Sequence, residues 1–202
     1  MIPGGRYHNF NDFFALPVPK NKSLFYQPLD TLEHPILKYS SSFYNEISKQ
    51  DIVLHFPYQS YEYVLKLIEE ASRDENVEEI NITLYRVAKE SRICKALIAA
   101  AKNGKKVTVF NEVKARFDEE LNLMWGDKMK AAGVNVLYSF EELKVHSKIC
   151  LIKRKEKGKL AKYAYLGTGN FNEDTANVYC DHALLTKDDV ITKDLDKVFK
   201  IT

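Results

Sequence analysis

The chain has 202 residues, 45% of them hydrophobic, which suits one α/β domain, alone or with a short appendage, and supplies enough apolar surface for a core. Lys and Arg number 30 against 28 Asp and Glu, a formal charge of +2, so no global field advertises nucleic acid or an anionic membrane and any anion site must be local. The three cysteines, Cys94, Cys150 and Cys180, lack CxxC spacing and argue against a disulfide framework or structural zinc, pointing instead to a reducing, intracellular setting; no run approaches the roughly 18 apolar residues of a membrane span, and the N-terminus lacks a signal peptide's apolar core.

Residues 1–50 carry Pro3, Pro17, Pro19, Pro28 and Pro35 among scattered aromatics, and read as an extended lead-in from an upstream domain with one short helix. The domain proper is expected over 51–202. "DIVLHFPY" reads as a strand, and Ser60 then opens a helix with Tyr61, Val64, Leu65 and Ile68 at helical spacing. "EINITLYRV" alternates Ile80, Ile82 and Leu84 against Asn81, Thr83 and Tyr85. Ser91 opens the next helix, with Ile93, Leu97 and Ala100 on one face, and Asn103-Gly104 stops it. "KVTVFNEV", "DEELNLMWGDKMKAA" and "VNVLYSF" read as strand, helix and strand, with Gly133 ending the helix. "KVHSKICLIKRK" and "KLAKYAYLG" flank the polar turn "EKGK" as a hairpin; a strand at "DHALLT" and a helix from about Asp188 follow. Strands alternating with helices and then a hairpin predict an α/β fold, a mixed and largely parallel sheet flanked by helices.

His146 and Lys148 lie two residues apart in "LKVHSKICLI", so on a strand they would share a face. An imidazole beside an ammonium suits a site that holds and attacks phosphate: the lysine balances oxygen charge, disfavours the imidazolium and leaves histidine a lone pair. An H-x-K triplet alone is more often a satisfied histidine at a sheet end. Order and distance raise its weight, because "LGTGNFNEDTANVYCD" follows the hairpin, with Gly167 and Gly169 for tight turning and Thr168, Asn170 and Asn172 as polar groups. Arg86 and Arg116 stand just past strands, where open α/β sheets bind ligands; the plainer reading pairs them with Glu112, Asp118 or Glu119. Glu112, Glu173, Asp174 and Asp181 are the carboxylates that could orient an imidazole or position a metal. His8, His34, His55 and His182 read as surface or structural, His182 drawing notice beside Asp181. "KRKEKGK" reads as a solvated turn rather than a polyanion guide.

The H-x-K strand followed by a Gly-rich loop with an asparagine resembles the half-site of the phospholipase D superfamily, although that family's H-x-K-x-x-x-x-D would need an aspartate where Lys153 stands. A closer resemblance runs over essentially the whole chain: "PGGRYHNF", "YRVAKESRI", "NGKKVTV", "ARFDEE", "KVHSKICLI" and "YLGTGNFNEDTANVY" look like polyphosphate kinases of the phosphohistidine-forming, phospholipase D-like type. The resemblance implies reversible transfer of the terminal phosphate of ATP to inorganic polyphosphate, with ATP, ADP and polyphosphate as partners and Mg²⁺ as cofactor. It further implies a homo-oligomer in full-length form, and a cytoplasmic protein that can associate peripherally with a membrane. His146 would be the phosphorylated residue, Lys148 and Asn170 would complete the catalytic group, and Tyr179 would contact the nucleotide. Arg86 and Arg116 correspond to the family's magnesium site; a guanidinium has no lone pair, so they are expected to grip phosphate oxygens that themselves bind Mg²⁺. The resemblance also implies a fragment bearing the first of two histidine-bearing halves. Two rivals are a phospholipase D-like phosphodiesterase or nuclease, and a non-catalytic domain that binds polyphosphate or nucleotide.

Overall fold

A computed structural model describes residues 17, 19–27, 29–112, 119–139 and 145–201. Arg116, Asp118 and His8 lie outside the described residues. The chain divides into two units, Met1–Asp30 and Thr31–Thr202. In the first, a 3-10 turn at Lys22–Leu24 is capped by Asn21, whose side chain accepts the Ser23 N–H at 3.0 Å.

The second unit holds strands β1 (Ile52–Phe56), β2 (Val77–Leu84), β3 (Lys106–Asn111), β4 (Asn135–Tyr138), β5 (Lys148–Glu156), β6 (Lys159–Gly167) and β7 (Asp181–Thr186). Its helices are α1 (Phe43–Ile47), α2 (Glu62–Arg73), α3 (Arg92–Lys102), α4 (Glu119–Ala131) and α5 (Asp189–Ile201). The strands form one sheet in the order β1-β7-β6-β5-β2-β3-β4.

Local chemistry accounts for the boundaries. Ser60 Oγ accepts the Glu62 N–H at 3.2 Å as α2 begins, Ser91 Oγ accepts the Cys94 N–H at 3.2 Å at the start of α3, and Asp188 takes the N–H groups of Val190 and Ile191 at 2.9 Å each before α5. Gly104 and Gly133 leave their helices at φ of +81° and +89°, a region costly for other residues. Between β5 and β6, Lys157 and Gly158 both have positive φ, 48° and 78°, the arrangement of a two-residue type I′ hairpin.

The sheet is mixed and carries helices, as the pattern predicts, but parallel pairing has a smaller share than expected. Among the pairs of these described strands, only β2–β3 and β3–β4 run parallel; β1–β7, β7–β6, β6–β5 and β5–β2 are antiparallel. The α2 crossover leads from β1 to β2, yet three strands from later in the chain fill the gap between them, so that this βαβ unit leaves no parallel pair.

Residues 31–50, read from sequence as lead-in, supply Leu37, Phe43, Tyr44 and Ile47 to the main core. There they join α2, α3 and one sheet face, including Ile80, Ile82, Val107, Val109, Cys150 and Ile152. The opposite face at β5 and β6 packs Leu151 and Ala164 against Leu195, with Ile191 and Phe199 of α5 alongside.

Lys153 belongs to this second face. Its Nζ lies 2.7 Å from Asp196 on α5 and 3.2 Å from Glu79 on β2, while Lys162 and Lys200 also reach Asp196, at 2.7 and 3.1 Å. Burial pushes the Asp196 carboxyl up, but hydrogen bonds from Lys153, Lys162 and Lys200 outweigh it and hold the group well below the ordinary carboxylate range. A carboxylate so depressed stabilises the fold fully above its ordinary pKa of 3.8, and that contribution is lost as pH falls through the folded value. Stability followed by urea denaturation should therefore climb as pH rises towards about 4, with a smaller climb in Asp196→Asn. Lys153→Asp would leave three carboxylates facing one another and should cost about 3 kcal/mol at neutral pH in the same assay.

Candidate active site

The strand directions bring together one edge of the sheet. Strands β1, β2, β3, β4 and β6 end there, whereas β5 and β7 begin there. Carboxyl ends of strands leave backbone and side chains clear of the packed layers, which is why open α/β sheets bind ligands at such edges.

His146 stands just before β5 rather than inside it. Thr83 on β2 fixes this entry twice, donating its hydroxyl to Ser147 O at 2.7 Å and accepting the Ile149 N–H at 3.1 Å. Glu112, fully buried after β3, fixes it again: its carboxylate accepts the Val145 N–H at 2.9 Å and the Ser139 hydroxyl at 2.8 Å. The His146 ring is exposed and meets Tyr85 edge-on at 5.2 Å between centroids. Lys148 is only 5% exposed; its Nζ lies 5.3 Å from the centre of the same Tyr85 ring and donates to His146 O. Arg86, the next residue after Tyr85, holds its guanidinium 5.8 Å from that ring. One aromatic ring thus gathers His146, Lys148 and Arg86, contacts in which cations sit favourably.

The Gly-rich loop starts beside this group, because Gly167 pairs with Lys148 in the β5–β6 register. A β-carbon at Gly167 would come within 2.6 Å of the Tyr165 hydroxyl, and one at Gly169 would land on the Asp181 carboxylate. Asp181 in turn accepts the Thr168 hydroxyl at 2.7 Å. Burial lowers the Lys148 pKa below the ordinary lysine value, and the charge of Asp181 pulls it part of the way back. Asn170 turns its side-chain oxygen inward, where no hydrogen-bond partner meets it among the described residues. Rotating that amide offers two N–H donors instead, which a phosphate oxygen would accept.

The remaining candidates separate. Asn172 is structural, its side chain accepting the N–H groups of Asp174 and Thr175 at 3.0 Å each. Asp174 is exposed, and Glu173 points to the start of α3. Tyr179, 59% exposed, precedes Cys180, whose sulfur lies 3.9 Å from the Tyr58 hydroxyl. His55 and His182 face each other across β1 and β7, their rings stacked at 4.1 Å, and His34 is buried with Nδ1 accepting two backbone N–H groups. "KRKEKGK" is a solvated turn only at its tip: Lys153, Arg154 and Lys155 belong to β5, Lys153 is buried, and they pair with Asp196, Asp74 and Glu78. Among the described residues no group of three or more His, Cys, Asp or Glu could hold a metal ion.

Tyr85 is the residue that sequence reasoning missed. It continues the parity of Asn81 and Thr83 at the end of β2 and directly precedes Arg86, and that alternation is the signal that could have marked it.

Lys153 lies five residues along β5 from Lys148, roughly 16 Å at strand rise, and is tied to α5. Its departure from the phospholipase D pattern therefore falls where α5 packs on the sheet.

The profile of polyphosphate kinase C-terminal domain 1 matches residues 42–202. Polyphosphate kinase of Escherichia coli (strain K12) is 48% identical over 202 residues, covering 98% of this chain and 29% of the relative. That of Yersinia pestis is 47% identical over 199 residues with the same coverage. The crystal structure of polyphosphate kinase from Porphyromonas gingivalis superposes with a TM-score of 0.81 at 42% identity, over 99% of this chain and 33% of that one. The phospholipase D family member Nuc from Salmonella typhimurium shares the fold, with a TM-score of 0.59 at 15% identity over 75% of this chain and 91% of that one. The chain spans about three tenths of the length of these curated relatives. A profile matched over most of the sequence shows that the chain belongs to the polyphosphate kinase family, with residues 42–202 as its C-terminal domain 1.

Proposed function

We propose that this domain carries the phosphoryl-accepting histidine of a polyphosphate kinase, His146, and that the observation supporting it best is the gathering of His146, Lys148 and Arg86 on Tyr85 beside the Asn170 loop. In the first displacement an imidazole nitrogen of His146 forms a P–N bond to the terminal phosphorus of ATP as the bond to the bridging oxygen breaks, and ADP leaves with the electron pair. In the second, a terminal oxygen of polyphosphate forms the new P–O bond, and the imidazole takes back its electrons. Each step is reversible because the P–N bond transfers readily in either direction.

Catalysis of such transfers rests on position and charge. Lys148 and Arg86, joined by Arg116, neutralise the equatorial oxygens, and the Asn170 amide donates to one of them. Asp181, which accepts the Thr168 hydroxyl in the Gly-rich loop, is one of the carboxylates that could orient the imidazole. Tyr179 is the candidate nucleotide contact. The residues gathered here fit phosphate rather than a directly bound metal: guanidinium and ammonium groups offer no lone pair. Mg²⁺ therefore belongs to this scheme as part of the metal–nucleotide substrate. The domains 1–50 and 51–202 correspond in this reading to an upstream connection and the catalytic half, with residues 31–50 packed into the latter.

A phosphodiesterase reading keeps one observation in its favour, the fold shared with Nuc together with the structural role of Lys153. Here the same histidine would attack a diester and water would complete hydrolysis.

Incubation with Mg²⁺ and γ-labelled ATP should place acid-labile, base-stable label on this chain and none on His146→Ala. Absence of label here, with a full-length relative labelled in parallel, would reduce the domain to a binding module; turnover of a diester substrate would favour the phosphodiesterase. Affinity for tripolyphosphate should weaken as pH rises through the lowered Lys148 pKa, at a lower pH than an ordinary lysine would give, and Lys148→Arg should move that loss to higher pH. Gly169→Ala should displace the Asp181 carboxylate and slow labelling on the order of a hundredfold while the chain stays folded.

A further inference from the structure

Arg86 follows β2 and Asn170 follows β6, two strands that do not pair because β5 runs between them. The ladder through β5 sets the ends of both strands, but Arg86 and Asn170 lie past the last paired residues, Leu84 and Gly167, so for both to grip one phosphoryl group the segments carrying them need a further tie. A loop with Gly167 and Gly169 also loses much conformational freedom when it orders.

Glu173 spans this gap. It lies three residues after Asn170, and its Oε1 accepts the Arg92 N–H at 2.6 Å, the Ile93 N–H at 3.3 Å and the Ser91 hydroxyl at 3.4 Å, all at the start of α3 and five to seven residues beyond Arg86. Ser91 separately accepts the Cys94 N–H. The first N–H groups of α3 are therefore divided between a local cap and a carboxylate from 81 residues further along the chain. The positive end of the helix dipole holds that anion in place. The same corner is braced from α2: Glu62 and Glu69 pair with the Arg92 guanidinium, and the Tyr61 hydroxyl donates to Asn170 O at 3.5 Å. Between Asn170 and Glu173, Phe171 is buried against Tyr165, and the Asn172 side chain accepts the N–H groups of Asp174 and Thr175 just after Glu173, so the backbone on both sides of Glu173 is anchored.

We propose that Glu173 is a positioning residue that staples the Gly-rich loop to the start of α3, setting the Asn170–Arg86 spacing around His146 before any phosphate arrives. It acts through Asn170 and Arg86 and touches no substrate. The proposal rests on reading this edge as a phosphoryl-transfer site. The ordering cost of the loop is then met during folding, and less of it opposes ligand binding.

The test compares Glu173→Ala, Glu173→Gln and Ser91→Ala in this chain, by amide hydrogen exchange, tripolyphosphate titration calorimetry and phosphohistidine labelling. Glu173→Ala should speed exchange jointly at 167–172 and 86–93, weaken tripolyphosphate about tenfold and slow labelling on the order of a hundredfold. Glu173→Gln, which keeps the accepting oxygen, should restore most of each. Ser91→Ala should loosen only the first turn of α3. Faster exchange confined to 92–94 in Glu173→Ala, with tripolyphosphate affinity unchanged, would make Glu173 a helix cap and nothing more. If the unsubstituted chain neither binds tripolyphosphate nor takes label, the phosphoryl-transfer reading fails, and joint or separate loosening of the two segments still decides the staple.

Discussion

The antiparallel entry of β5 beside β2 is the constraint on which the candidate site depends, since it brings the beginning of one strand to the edge where its neighbours end. Had β5 run parallel to β2, His146 and Lys148 would lie at the far edge, a strand length from Arg86 and the Gly-rich loop. The hydroxyl of Thr83, bonded on both sides of Lys148, and the buried carboxylate of Glu112 hold that entry in register. Buried polar groups of this kind specify a geometry because leaving either unpaired is costly.

Two lysines on β5 show how differently the surroundings treat similar buried cations. Lys153 meets Glu79 and Asp196, so its charge is compensated and its position fixed. Lys148 is equally enclosed, but its hydrogen bond runs to a neutral carbonyl, and Asp181 offsets its desolvation only in part. A buried cation whose cost is incompletely met gains most from an arriving anion. Phosphate oxygens would supply what Glu79 and Asp196 supply at the other end of the strand.

Much of the fold was legible because its signals are local. Ser60, Ser91, Asp188 and the Lys157-Gly158 turn act within a few residues of themselves, and apolar spacing in α2 and α3 records which face is covered. The proportion of parallel pairing was not legible, since the insertion of β5, β6 and β7 between β1 and β2 leaves no mark on β1 or β2 themselves. Nor was the packing of Phe43, Tyr44 and Ile47, which sit in a segment too short for a period to emerge. At the site, His146, Lys148 and Asn170 stood out by residue type and order. Tyr85 resembled any strand aromatic, and the partner of Glu173 lies too far along the chain for spacing to reveal it.

The tie between Lys153, Glu79 and Asp196 also bears on divergence within this fold. A change at position 153 falls on the docking of α5 on the sheet, while a change at 146 or 148 falls on the edge where β5 begins, although all three residues belong to one short stretch. A lineage could exchange the charge at 153 along with its two acidic neighbours and keep its reaction, or alter the reaction and keep the tie. The two ends of β5 can therefore be altered one at a time, the charge at 153 reporting on how α5 is held and the residues at 146 and 148 on the opposite edge.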